Sequence, residues 1–221
     1  MKRIVAIIGD YYHEPERIRQ SLEQALLLPD GSRLAEVIYA EAESLSQVLK
    51  ERPDAVVLFK EDRVNPTDAL VRGWMVDALE EEIVRYVHNG GGWFAWHSGL
   101  ASYAEDGAYC CMLRGHFAYH PDQHRTVRYR IQGGEALGIS SEGGSSFEFV
   151  DEHYFVVCDR SQTGVFLVSE SEDGQSTAGW SHEFGAGRVC CLTPAHTAEG
   201  LMHLELIALV HSAIRWCSHA G

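Results

Sequence analysis

Apolar positions along this chain follow two patterns: short unbroken runs that stop at glycine or aspartate, and longer stretches in which they recur every three or four residues. Ile4, Val5, Ile7 and Ile8, closed by Gly9-Asp10, predict a buried strand over residues 3–9. Ile18, Leu22, Ala25 and Leu26 then recur at helical spacing behind Pro15, until Pro29-Asp30-Gly31 breaks the pattern. A strand over 34–40, a short helix over 44–51 ended by Pro53, and an apolar strand over 54–59 continue the alternation. Strand, helix, strand, helix, strand is the signature of a parallel sheet with crossover helices. Val76, Leu79, Ile83 and Val87 mark one face of the next helix, and Asp77, Glu80, Glu81 and Glu82 read as its solvated face.

That helix runs into Asn89-Gly90-Gly91-Gly92-Trp93-Phe94-Ala95-Trp96-His97-Ser98-Gly99. The glycines predict a helix stop, because glycine tolerates the positive φ of a C-terminal cap. Residues 93–96 form a short central strand, and His97 falls where that strand leaves the sheet. In open α/β sheets, ligands bind at the carboxyl ends of strands. The competing reading of His97 is a buried histidine with an ordinary hydrogen bond. Residues 100–151 lose periodicity among scattered glycines, including Gly143-Gly144, and read as loops that wall a pocket. Short strands at 126–131, 154–158, 165–170, 177–180 and 188–192 and a helix over 200–216 complete one α/β domain over residues 1–221.

The formal net charge of −14 argues against a nucleic-acid partner, since phosphate binding depends on clustered Lys and Arg. No apolar run reaches membrane-spanning length, and the first run is too short for a signal peptide, which predicts a cytoplasmic protein. The six cysteines lack zinc-ribbon spacing and read as reduced core thiols. Self-association into a homo-oligomer is left open.

Four later segments extend the glycine-rich stretch into an ordered set. They are Gly115-His116-Phe117-Ala118-Tyr119-His120-Pro121, Asp151-Glu152-His153-Tyr154, Trp180 with Gly185-Ala186-Gly187-Arg188-Val189, and Ala195-His196. With these in place the chain resembles the ThuA-like, trehalose-utilisation family. It departs from the family pattern at Ala186, where a basic residue is usual, at Ala195, where glycine is usual, and before Trp180, where proline is usual. The resemblance implies a three-layer α/β/α sandwich around a mainly parallel sheet, flavodoxin-like and similar in fold to class I glutamine amidotransferases. It also implies a role in the use of trehalose or related disaccharides, with a small-molecule sugar or keto-sugar as ligand.

Amidotransferase activity is excluded, because the nucleophile frame reads Ala95-Trp96-His97-Ser98-Gly99, with histidine where thiolate chemistry needs cysteine. Ser98 activated by its neighbour His97 is a strained arrangement for adjacent residues on an extended strand. A general acid/base site fits better, with His97 and Glu152 catalytic and His120, His196, Trp96, Tyr154 and Trp180 contacting substrate. Packing in the core is the plainer explanation of the tryptophans, and an ion pair or cap that of Asp151-Glu152. A divalent ion such as zinc, nickel or manganese, held by His97, His120, Glu152 and His196, is the rival use of the same residues. A pocket that only binds sugar, or a subunit that organises partners, is the non-enzymatic alternative. His116, His120 and His124 are spaced four apart, but Gly115 and Pro121 argue against one helical stripe.

Overall fold

The unbroken apolar runs become the centre of a nine-stranded sheet in a computed structural model that describes residues 1–139 and 145–219. The Gly143-Gly144 pair lies outside the described residues. Strand β1 (Lys2–Ile8) is followed by α1 (Pro15–Ala25), β2 (Ala35–Tyr39), α2 (Leu45–Lys50), β3 (Ala55–Phe59), α3 (Asp77–His88) and β4 (Gly92–Trp96). Then come α4 (Ala108–Leu113), β5 (Gly115–Tyr119), β6 (Arg125–Ile131), β7 (Ser146–Asp151) and β8 (Phe155–Cys158). The chain closes with β9 (Gly164–Ser171), β10 (Gly174–Phe184), β11 (Gly187–Leu192), α5 (Ala198–Leu201) and α6 (Leu204–Cys217).

The strand order is β2-β1-β3-β4-β11-β10-β9-β6-β7, with β5 and β8 paired separately. Neighbours are parallel from β2 to β11 and antiparallel from β11 to β7. The expected mainly parallel sheet is therefore a mixed one. Only β10 and β6 run against the rest, so β1, β3, β4, β11 and β7 all end at the same edge.

Strand pleating divides the interior in two. Ala55, Val57, Phe59, Phe94, Trp96, Cys190 and Leu192 face one core with α1 and α6, while Val56, Leu58, Trp93, Ala95, Val189 and Cys191 face a second with α2, α3 and α4. The glycine triplet serves three purposes. Gly90 takes a φ of +110°, whereas a Cβ at Gly91 would strike the Tyr86 ring and one at Gly92 would lie 2.1 Å from the Cys217 carbonyl oxygen.

The region read as loop holds α4, β5 and β7. Helix α4 is six residues long, too short for a periodic signal. Strand β7 does alternate, with Phe147, Phe149 and Asp151 inward, but an inward aspartate hides the pattern. Glu80 also departs from its solvated reading: it is buried and accepts a hydrogen bond from the Tyr109 backbone N–H at the start of α4. All six cysteines are free thiols, but the core expectation holds only for Cys110, Cys190, Cys191 and Cys217, since Cys158 is half-buried and Cys111 exposed.

Candidate functional site

Five titratable residues emerge just past the carboxyl ends of strands at that common edge or at the end of β5. His13 follows β1, His97 follows β4, His120 follows β5, Glu152 follows β7 and His196 follows β11. His97 itself takes a φ of +47°, which turns the chain out of β4 into a single 3₁₀ turn over His97–Leu100. Such a backbone is unusual for a residue with a side chain and persists only where its surroundings enforce it. Here Gly99 sits against the Leu58 carbonyl, with room for no Cβ.

Glu152 is the hub. Its Oε2 lies 3.6 Å from His97 Nε2 and 3.5 Å from His196 Nδ1, and its Oε1 lies 3.3 Å from His120 Nε2. His97 donates its Nδ1–H to the Thr193 carbonyl at 2.6 Å, so its Nε2 carries the lone pair; that atom is buried and has no hydrogen-bond partner among the described residues. His13 has the same logic, with Nδ1–H donated to Asp10 at 2.6 Å and Nε2 left 2.9 Å from His196 Nδ1. Asp10 also accepts from Ser98 Oγ at 2.7 Å and from the Glu61 backbone N–H at 3.1 Å. The Ser98 hydroxyl is committed to a carboxylate and does not address His97.

Asp151 and Glu152 divide their tasks. Asp151 is fully buried and accepts from Tyr129 Oη–H and from the His196 backbone N–H, both at 2.8 Å, which anchors the loop carrying His196. Burial pushes its carboxyl up to about 6 despite those donors. Burial also works against ionisation of Glu152, but hydrogen bonding to His196 and the electrostatic pull of the surrounding imidazoles outweigh it and bring Glu152 to about 2. Burial, reinforced by His13, holds His97 well below the ordinary imidazole value, so it is neutral near pH 7. Glu152 raises His196, whose burial opposes the shift.

A cavity of about 320 Å³ opens over this cluster, walled by Tyr12, His13, Glu61, Phe117, His120, Glu152, Tyr154 and His196 among others. Tyr154 stacks on His97 with ring centroids 4.3 Å apart. A larger hollow of about 750 Å³ lies at the amino ends of the strands, against Lys2, Asp54 and Gly91, away from all five residues. Thus His120, Glu152, His196 and Tyr154 come together at one wall, and His97 lies fully buried beneath the Tyr154 ring. Trp96 and Trp180 do not join them. Each is fully buried in one of the two cores, and their indole N–H groups donate to the Pro194 and Leu113 carbonyls. Sequence reasoning missed Asp10, His13 and Glu61, although the rule that drew attention to His97, position just beyond a strand's carboxyl end, points to them equally.

A sequence profile of the family described as ThuA, trehalose utilisation, matches residues 8–217. The chain belongs to this family. No relative among curated proteins matches it by sequence. In fold it is similar to a ThuA-like protein from Parabacteroides merdae, with a TM-score of 0.73 and 12% identity over 98% of this chain and 90% of that one. A ThuA-like protein from Bacteroides uniformis follows at TM-score 0.65 and 18% identity, covering 98% and 91%. The carbohydrate deacetylase Agd3 shares the fold at TM-score 0.61 and 10% identity; the match spans 99% of this chain but 32% of Agd3. Among the described residues, no helix is long and apolar enough to cross a membrane.

Proposed function

We propose that this ThuA family member is an enzyme acting on a small carbohydrate, trehalose or a related disaccharide or keto-sugar, in the cavity walled by His120, Glu152 and Tyr154. The reaction class is proton transfer at a sugar hydroxyl or at the carbon beside a ketone. The observation that carries this reading is the 3.3 Å approach of His120 Nε2 to Glu152 Oε1 at the cavity wall, where His120 is the most exposed member of the cluster. An imidazole can both give and take a proton at its ring nitrogens, and a carboxylate beside it orients the ring for that exchange. His120 is therefore the proton donor and acceptor, and Glu152 its partner. His97, sealed beneath Tyr154, supports Glu152 from below and does not touch substrate. Tyr154 and His196 contact the sugar. A cavity of about 320 Å³ falls within the ordinary size range for small-ligand sites, and its mixture of aromatic faces and polar groups suits a polyol.

In this reading the helices on both sides of the sheet complete a three-layer α/β/α sandwich, and the protein works in the cytoplasm with neither nucleic acid nor membrane as partner. The test is turnover measured beside binding for keto-disaccharides and their parent sugars, in wild type and His120→Gln. The expected loss of turnover in the variant is about 10²–10⁴-fold with binding little changed. Binding without turnover in the wild type overturns the enzyme reading and leaves a sugar-binding protein.

A further inference from the structure

His13, His97, Glu152 and His196 each offer one donor atom, and these four atoms all lie within 4.8 Å of one another. We infer that His13 Nε2, His97 Nε2, His196 Nδ1 and Glu152 Oε2 form a site for one divalent transition-metal ion of zinc-like preference. Donor separations are the first argument. Ligand atoms about 2.0–2.1 Å from a tetrahedral ion stand roughly 3.3 Å apart. The observed separations of 2.9 Å (His13 to His196), 3.5 Å (His196 to Glu152) and 3.6 Å (His97 to Glu152) bracket that value.

Outer hydrogen bonds supply the second argument. A metal-binding imidazole characteristically donates its other N–H to a carboxylate or a backbone carbonyl, which fixes the tautomer and aims the lone pair. His13 does so to Asp10, and His97 to Thr193. Asp10 is itself held by Ser98 and the Glu61 backbone, so the support extends two residues beyond the ligand.

The unpartnered His97 Nε2 is the third. A fully buried polar atom without a partner is costly, and this one points at the cluster. A proton shared between His13 and His196 accounts for the 2.9 Å contact but leaves His97 Nε2 unsatisfied. A cation satisfies all three rings at once. Three imidazoles and one carboxylate suit zinc, nickel, cobalt or iron better than magnesium or calcium, which prefer oxygen-rich shells.

His120 is outside the set. It faces Oε1 of Glu152, the oxygen turned away from the donor cluster, so the carboxylate can serve the ion through one oxygen and His120 through the other.

The experiment uses the full chain, stripped by chelator and dialysed, then titrated with Zn²⁺ by calorimetry and with Co²⁺ by visible absorption. One equivalent of either ion is expected, with the Co²⁺ bands of an imidazole-rich site. His13→Ala and His196→Ala are expected to weaken binding at least 100-fold. Asp10→Asn, which keeps every ligand, is expected to weaken it 10–100-fold. His120→Ala and His124→Ala are expected to change it less than threefold. If a ligand substitution unfolds the chain by circular dichroism, Asp10→Asn decides the matter. Absence of stoichiometric binding at micromolar ion, or binding lost with His120 or His124 and kept without His13, overturns the site. Sugar turnover that persists in stripped protein lacking metal affinity would refute this inference while leaving the proton-transfer reading standing.

Discussion

Ser98 Oγ donates a 2.7 Å hydrogen bond to Asp10, which joins the turn after β4 to the loop after β1. The hydroxyl is thereby a structural donor to a buried carboxylate. Asp10 is held well below the usual carboxylate range because the hydrogen bonds of His13 and Ser98 outweigh its burial. Ser98→Ala is expected to cost about 1–3 kcal/mol of stability, the penalty for leaving a buried acceptor underserved. Urea unfolding measures it, and turnover that survives the substitution separates this role from that of a nucleophile.

Two aromatic residues assigned to substrate from their type should part company on mutation. Trp180→Phe removes the indole donor to the Leu113 carbonyl and opens space in a core, with an expected cost of about 1–3 kcal/mol and unchanged sugar affinity. Tyr154→Ala is expected to weaken sugar binding about tenfold, or about 1.4 kcal/mol. Thermal unfolding and calorimetric titration of both variants check the contrast.

His182 donates Nε2–H to the Met112 carbonyl, while its buried Nδ1 has no partner among the described residues to accept a second N–H. Burial is the main cause that lowers it from 6.5 to about 4. The unfolded chain therefore binds more protons between these values, so stability falls as pH drops from 6.5 towards 4. His182→Gln is expected to flatten that fall by about 2 kcal/mol between pH 6.5 and 5, since each unit is worth about 1.4 kcal/mol. Urea midpoints of both proteins across this window read the difference.

Gly99→Ala would place a methyl group 2.1 Å from the Leu58 carbonyl oxygen, a backbone atom with little freedom to move. A loss of about 3 kcal/mol is expected, at the upper end for overpacking. Because the strain falls two residues from His97, the melting temperature and the affinity for Zn²⁺ should drop together.

The parallel half of the fold is legible in the sequence because its central strands are buried on both faces and read as unbroken apolar runs such as Ala55–Phe59, while the edge strand Ala35–Tyr39 shows simple alternation. Strand β7 and helix α4 are not legible, because one buries an aspartate and the other is shorter than two turns. In the site, motif resemblance points to His97, His120, Glu152 and His196, and the three histidines meet around the Glu152 carboxylate. Asp10 and His13 lie in a loop, where no periodicity marks a residue. For Trp96 and Trp180 the core alternative holds over substrate contact: an aromatic side chain fits a core as well as a sugar face, and only burial separates the two uses.

Glu152 comes from the end of β7, the outermost strand on one margin of the sheet, whereas His13 follows β1, one strand in from the opposite margin. Asp151, beside Glu152, holds the His196 loop through backbone N–H groups. Detachment of β7 alone would scatter the carboxylate and one histidine while leaving β1, β3 and β4 paired. On heating, the chemistry would then fail before the parallel strands separate, and the site would report the integrity of the whole sheet more sensitively than its secondary structure does.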